Sequence, residues 1–364
     1  MVDADWKKGA FISPLLLLNT QPFSQTAVHE IEAFGPVSTL MPYKGIEEAI
    51  TLSKMGKGSL VTTIVTNQEA EAKKYVLGTA SHHGRILILN RDCAKESTGH
   101  GSPLPLLVHG GPWARDDFGY NPYHQWLANR GYAVLSVNYR GSTGFGKSFI
   151  EAANLEWAGK MHDDLIDAVQ WAIDQKVSPA DKIAIMGGSY GGYATLVGLT
   201  FTPTTFACGV DIVGPSNLET LLKTIPPYWT AGIQQFHRRM GNPNTPEGLA
   251  LLKERSPLYK AGNIVRPLLI GQGANDPRVN QAESDQIVTA MQQKGIPVTY
   301  VLFPDEGHGF ARPDNNIAFN AVTENFLATC LGGRAEPIGA TIKSSSAQVP
   351  VGAAFTPGLE AALK

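Results

Sequence analysis

The segment Gly187-Gly188-Ser189-Tyr190-Gly191-Gly192 sets a serine inside a G-x-S-x-G pattern. Where such a pattern joins a strand to a helix, the flanking glycines allow a turn so sharp that the hydroxyl projects above the sheet, a nucleophile elbow. The bland alternative is an ordinary turn with a serine N-cap. A nucleophilic serine needs a base to take its proton and an acid to orient that base, and the elbow arrangement places the acid and then the histidine further along the chain. Two histidines follow Ser189. His237 stands beside Arg238 and Arg239 and reads as a surface residue. His308 lies in Asp305-Glu306-Gly307-His308-Gly309-Phe310, where glycines let a loop bring an imidazole over a sheet edge. Asp276, in Gly273-Ala274-Asn275-Asp276-Pro277, ends the strand before it, whereas Asp211 falls inside a strand and Asp285, Asp305 and Asp314 lack a strand-end position. Ser189, Asp276 and His308 are therefore the expected triad, and covalent acyl transfer is the expected chemistry.

Acyl transfer also needs donors for an oxyanion, each worth about 10²–10³ in rate. The amide of Tyr190, just after the nucleophile, is one expected donor. The second belongs to the loop His109-Gly110-Gly111-Pro112 after an earlier strand, with the Gly111 amide preferred and Gly110 as its substitute. His109 reads as a brace for that loop. Trp113 and Arg115 just beyond it, and Tyr228 and Trp229 further on, are candidate substrate contacts that packing alone would equally explain.

The elements that must hold these residues follow from apolar runs. Leu104 to Val108, Ala133 to Val137, Ile183 to Met186, Cys208 to Val213, Pro267 to Ile270 and Val298 to Phe303 read as buried strands. Between them lie helical patterns over Asp163 to Gln175, Tyr190 to Leu199 and Asn316 to Leu331. Such alternation predicts an α/β fold, the doubly wound, mainly parallel sheet of an α/β-hydrolase. Residues 214–262, rich in proline and aromatics, read as a cap insertion, and 103–335 as the hydrolase domain. Residues 336–364, rich in Ala, Gly, Ser and Pro, read as a tail extended over the surface or partly disordered. Residues 1–102 have their own pattern, a βαβαβ unit over Val37–Met41, Ile46–Met55, Ser59–Val65, Gln68–Ala80 and Arg85–Leu89, then a polar linker from Asp92.

Composition narrows the function classes. The 364 residues carry 30 Lys+Arg against 32 Asp+Glu, a formal net charge of -2, which argues against nucleic acid or an acidic lipid surface as partner. The apolar run Phe11 to Leu18 is broken by Pro14 and follows Asp3, Asp5, Lys7 and Lys8, a poor membrane span and a poor signal peptide. Cys93, Cys208 and Cys330 are odd in number and far apart, so neither a disulfide framework nor a zinc site is expected, and a cytoplasmic location is the default.

From about residue 103 to 359 the chain resembles the catalytic domain of the prolyl oligopeptidase family, in its acylaminoacyl-peptidase-like branch. The resemblance rests on His109-Gly110-Gly111-Pro112-Trp113, the run Asn138 to Gly146, Gly187 to Gly192, Asp276-Pro277-Arg278-Val279 and Gly307-His308-Gly309. It implies a serine hydrolase of peptides, blocked aminoacyl compounds or esters, without metal or organic cofactor. Residues 9–112 instead resemble the C-terminal part of an aldehyde dehydrogenase, of the phenylacetate-pathway oxepin-CoA hydrolase type, through Glu32-Ala33-Phe34-Gly35-Pro36 and Ala94 to Pro103. A gene fusion through Leu107 to Pro112 follows. The nucleophilic cysteine and dinucleotide domain of such a dehydrogenase would lie upstream of the matching segment, so Glu32 is expected to be idle and Cys93 a buried or linker thiol rather than a nucleophile. The fragment is expected to cover a hydrolase sheet edge or to pair chains into a homo-oligomer. Family members usually carry a β-propeller that gates access. None is read in this sequence, which favours a carboxylesterase of short-chain esters. The alternatives are an acylaminoacyl peptidase or aminopeptidase on short peptides, and an inactive fusion serving as a structural or binding module.

Overall fold

The computed structural model describes residues 15–31, 37–89 and 101–364, so Glu32 and Cys93 lie outside the described residues. The chain divides into two compact units at Ser97/Thr98.

In the first unit, β1 (Leu15–Leu18) pairs in parallel with β2 (Val37–Leu40), and β3 (Ser59–Val65) in parallel with β4 (His83–Leu89). The expected single βαβαβ sheet is thus two separate two-stranded sheets. The difference arises because β2 takes as its partner the leucine run Leu15–Leu18, whose four consecutive leucines lack the alternation that marks a half-buried strand. The helices Ile46–Met55 and Glu69–Thr79 pack together through buried Ile50, Leu52, Ala72 and Tyr75. The Tyr75 hydroxyl is 2.7 Å from both Ser53 Oγ and Thr62 Oγ1.

The second unit is built on a seven-stranded sheet: β5 (Leu104–Val108), β6 (Leu135–Ser136), β7 (Ile183–Gly188), β8 (Cys208–Ile212), β9 (Leu268–Gly273), β10 (Val298–Phe303) and β11 (Gln348–Val351). Their order is β11-β10-β9-β8-β7-β5-β6, parallel throughout except at β11. Side chains alternate between two cores. Ile183 and Ile185 face Leu165, Val169 and Leu196, while Ala184 and Met186 face Phe319, Val322 and Phe326 of the helix Pro313–Leu331. The chain runs from β5 outward to β6 and then returns to β7 on the other side of β5. The loops after β5 and β7 therefore diverge at a topological switch point, the place where open α/β sheets bind ligands.

Three expectations are corrected. Of the run Ala133 to Val137, only Leu135–Ser136 joins the ladder. Cys208 on β8 and Cys330 near the end of the helix Pro313–Leu331 form a disulfide across 122 residues. Packing that helix on the sheet brings together two cysteines whose sequence spacing carries no sign of it. The C-terminal segment is not a loose tail: β11 runs antiparallel along β10, Thr299 Oγ1 donates to the Gly352 carbonyl at 3.0 Å, and Ile342 and Leu359 are buried in the core that contains Phe319. Its sparse apolar residues are each used, which composition averaged over the segment conceals. Among the described residues no helix is long and apolar enough to cross a membrane.

Because Leu359 is fully buried, Leu359→Ala should lower the unfolding free energy by about 2–5 kcal/mol. An unchanged urea midpoint would show that the C-terminal segment contributes nothing to the core.

Candidate active site

β7 delivers the chain to Ser189 at φ 59°, ψ −115°, and the helix Tyr190–Phe201 begins at the next residue. A serine with positive φ is strained by about 1–3 kcal/mol and needs surrounding structure to hold it. Its N–H donates to the Ile212 carbonyl at 2.8 Å, and its carbonyl accepts from Tyr193 N–H at 3.0 Å. The glycines have distinct reasons. A Cβ on Gly187 or Gly191 would run into the Val108 carbonyl oxygen, and one on Gly192 or Gly214 into the Asp211 carboxylate.

Asp276 and His308 meet directly, His308 Nδ1 lying 2.7 Å from Asp276 Oδ2. The other oxygen of Asp276 accepts the amides of Arg278 and Val279 at 2.8 and 2.9 Å, so the carboxylate is held from both sides. The histidine loop has a second anchor, missed in the sequence. Glu306 is buried, and its carboxylate accepts from the Ala311 and Arg312 amides at 3.0 and 2.8 Å and from Asn315 Nδ2 at 2.8 Å. Its carbonyl accepts Asn275 N–H at 2.9 Å, joining the acid loop to the histidine loop. The signal was a carboxylate two residues before His308.

His109 braces the loop after β5. Its ring stacks on Tyr139 at 4.4 Å, and its Nε2 lies 2.9 Å from Ser142 Oγ and its Nδ1 2.8 Å from the Gly110 carbonyl. Burial pushes the imidazole below its ordinary pKa, against the pull of the Gly110 carbonyl and of Asp116. Arg140 forks onto Asp164 at 2.6 and 2.8 Å, fixing the 138–146 loop from which Ser142 projects. Gly111 has φ 119°, and a Cβ there would sit 2.7 Å from the Trp113 amide nitrogen. Gly110 lies against Gly188 and Ser189, where a Cβ would come 2.9 Å from the Gly188 carbonyl oxygen.

A cavity of about 380 Å³ opens over Ser189, within the size range of small-molecule sites. Ser189, Tyr190 and Gly111 line it together with Trp113, Tyr228 and Trp229, so the expected nucleophile, oxyanion loop and substrate contacts share one space. Arg278 and Val279, just past Asp276, also border it. The structure adds Trp157, Phe236 and the aliphatic wall of Leu221, Leu222 and Ile225. Trp229 stacks on Phe236 at 5.6 Å, and Arg278 lies 5.7 Å from the Trp229 ring. Among the described residues, Arg278 is the one charged residue on the lining. Arg115 is not on it: it pairs with Asp117 at 2.7 Å and lies over Phe145.

A serine at a strained turn after β7, an aspartate after β9 and a histidine after β10, on this sheet order, define a serine hydrolase of the α/β-hydrolase type. The prolyl oligopeptidase family model matches residues 118–334, more than half of the chain. The chain belongs to the prolyl oligopeptidase family. It is 74% identical over 262 residues to dipeptidyl aminopeptidase BIII of Pseudoxanthomonas mexicana, covering 72% of this chain and 38% of that protein. A puromycin-hydrolyzing peptidase structure from Mycobacterium tuberculosis superposes with TM-score 0.61 at 29% identity, over 65% of this chain and 35% of that one. The aldehyde dehydrogenase family model matches residues 2–96. Protein MaoC of Klebsiella aerogenes is 58% identical over 104 residues, which cover 29% of this chain and 31% of that protein. The two similarities fall on different parts of the chain, as a fusion requires. The chain spans less than two fifths of the length of each of these relatives.

Asp211, beneath the elbow, is fully buried, and its Oδ1 accepts only the Gly214 amide at 2.9 Å. Burial pushes its carboxyl well above the ordinary carboxylate range, the Gly214 bond opposing. An acid that keeps its proton in the folded state costs stability as pH rises above about 3.9, where the unfolded chain ionises. Asp211→Asn should therefore gain on wild type as pH is raised from 4 to 7, by at most about 1.4 kcal/mol per pH unit. A difference in urea stability that is flat with pH would sink this reading.

Proposed function

We propose that this chain is a serine peptidase that cleaves short or N-blocked peptides after an apolar, preferentially aromatic, residue. The observation that carries the proposal is the cavity beside Ser189, walled by Trp113, Trp157, Tyr228, Trp229 and Phe236. A buried aromatic side chain there gains both area burial and ring contacts. The Arg278 guanidinium on this lining disfavours a free, positively charged α-amine, which favours a blocked terminus. The family and the similarity to a dipeptidyl aminopeptidase support peptides over the short-chain esters expected from the sequence.

In the proposed mechanism, Ser189 Oγ attacks the scissile carbonyl while His308 takes its proton. Asp276 accepts the His308 Nδ1–H bond, which directs Nε2 to the reaction and stabilises the imidazolium as it forms. The Tyr190 and Gly111 amides receive the oxyanion. His308 then protonates the leaving amine, the acyl-enzyme forms, and water deprotonated by His308 releases the acid and restores Ser189.

Ser189→Ala should lower kcat by about 10⁴–10⁶-fold with the fold intact and abolish labelling by a fluorophosphonate probe. Near wild-type turnover would remove Ser189 from the mechanism. Substrate class is decided by comparing kcat/KM for acetyl-Phe-p-nitroanilide, Phe-p-nitroanilide, and p-nitrophenyl acetate and butyrate. The blocked anilide should exceed its unblocked counterpart, and hydrolysis of the esters with neither anilide cleaved would return the chain to the esterases.

A further inference from the structure

The aliphatic wall of the cavity hangs from one buried carboxylate remote from the triad. Glu283 stands in the first turn of the helix Gln281–Gln293, and only 2% of it is exposed. It does not cap its own helix. One oxygen accepts the backbone amides of Ser216 and Asn217 at 3.0 and 2.8 Å together with Gln286 Nε2 at 2.9 Å, and the other accepts the Thr220 hydroxyl. The Ser216 hydroxyl also donates to the Glu283 carbonyl at 2.6 Å. These donors bracket the start of the short cap helix Leu218–Lys223, with Pro215 just before it and Leu221 and Leu222 within it on the cavity lining. The same helix end is tied to the acid loop: Ser284 Oγ donates to Gln272 Oε1 at 2.9 Å, and Gln272 Nε2 donates to the Val279 carbonyl at 3.0 Å. Two walls of the cavity, Arg278–Val279 and Pro215–Leu222, are thus fixed to one turn of helix.

We infer that Glu283 is a positioning residue for substrate selectivity, holding residues 215–222 at the distance from Ser189 that a large apolar side chain requires. The inference rests on the peptidase reading for its substrate, not for the latch itself. Every group facing the carboxylate is a neutral donor, so the function needs acceptors in the right places and no net charge. Glutamine can present its oxygen to the Ser216 and Asn217 amides and its NH₂ to the Thr220 hydroxyl, which can accept. Alanine takes the acceptor from the Ser216 and Asn217 amides, while the Thr220 hydroxyl and Gln286 Nε2 keep the Asn217 carbonyl and Ser216 Oγ as partners.

The test compares wild type, E283Q, E283A and T220V, all as the full chain, on acetyl-Phe- and acetyl-Gly-p-nitroanilide, with fluorophosphonate labelling of Ser189 and amide hydrogen exchange. Loss of the acceptor for two buried backbone amides should lower the Phe/Gly ratio of kcat/KM in E283A by about tenfold or more, carried by KM for the Phe substrate. Labelling should stay near wild type, and exchange should rise at residues 216–222 but not in the helix Tyr190–Phe201. T220V should move the same way by less, and E283Q should stay near wild type. An unchanged ratio, or equal losses on both substrates, overturns the inference. If E283A fails to fold, T220V against E283Q decides. If wild type cleaves neither anilide, the peptidase reading has failed separately, and the exchange of residues 216–222 alone upholds or overturns the latch.

Discussion

The Val108 carbonyl oxygen occupies the space into which any side chain at positions 187 or 191 would point. Because β5 and β7 are neighbours in register, Val108 opposite Gly187, this contact sets how closely the loop after β5 approaches the elbow. Everything at the site inherits that approach: the turn of Ser189 out of the sheet, the proximity of Gly110 to Ser189, and the bracing of the loop by His109, Tyr139 and Ser142. A wider spacing would relieve the crowding and also separate the amides from the space over the serine. The glycines here are an exclusion of volume more than a source of flexibility.

Ser189, Asp276 and His308 could be singled out because each sits at the end of a strand that reads clearly, and the fold brings Asp276 and His308 into direct contact. The loop after β5 could be singled out for the same reason. The cavity walls were not. Leu221, Leu222 and Phe236 lie in an insertion whose proline and aromatic content announces a packed loop without saying which side chains face inward. Glu283 and Glu306 escaped because a carboxylate's role there depends on which backbone amides the fold turns towards it, and those belong to residues distant or inconspicuous in sequence. The disulfide and the C-terminal strand share that character: Cys208 with Cys330, and β10 with β11, become partners only once the sheet exists.

The two units differ in how completely they satisfy their apolar residues. In the second, the strands from β7 to β10 are buried almost without exception, and both sheet faces carry contiguous cores. In the first, Leu15 to Leu18 of β1 are all exposed, as are Val61, Val65 and Leu77. Contiguous exposed apolar faces are uncommon on folded proteins and mark surfaces that make contacts.

The short strand β6 has a consequence for assembly. An open sheet is a template for adding a foreign strand, and the hazard scales with the length of unpaired backbone it displays. At one border of this sheet β11 closes β10 with a strand of four residues, and at the other β6 contributes only two. A two-residue border gives an incoming chain too few free peptide groups to hold its register. The brevity of β6 limits edge-to-edge polymerisation through that strand.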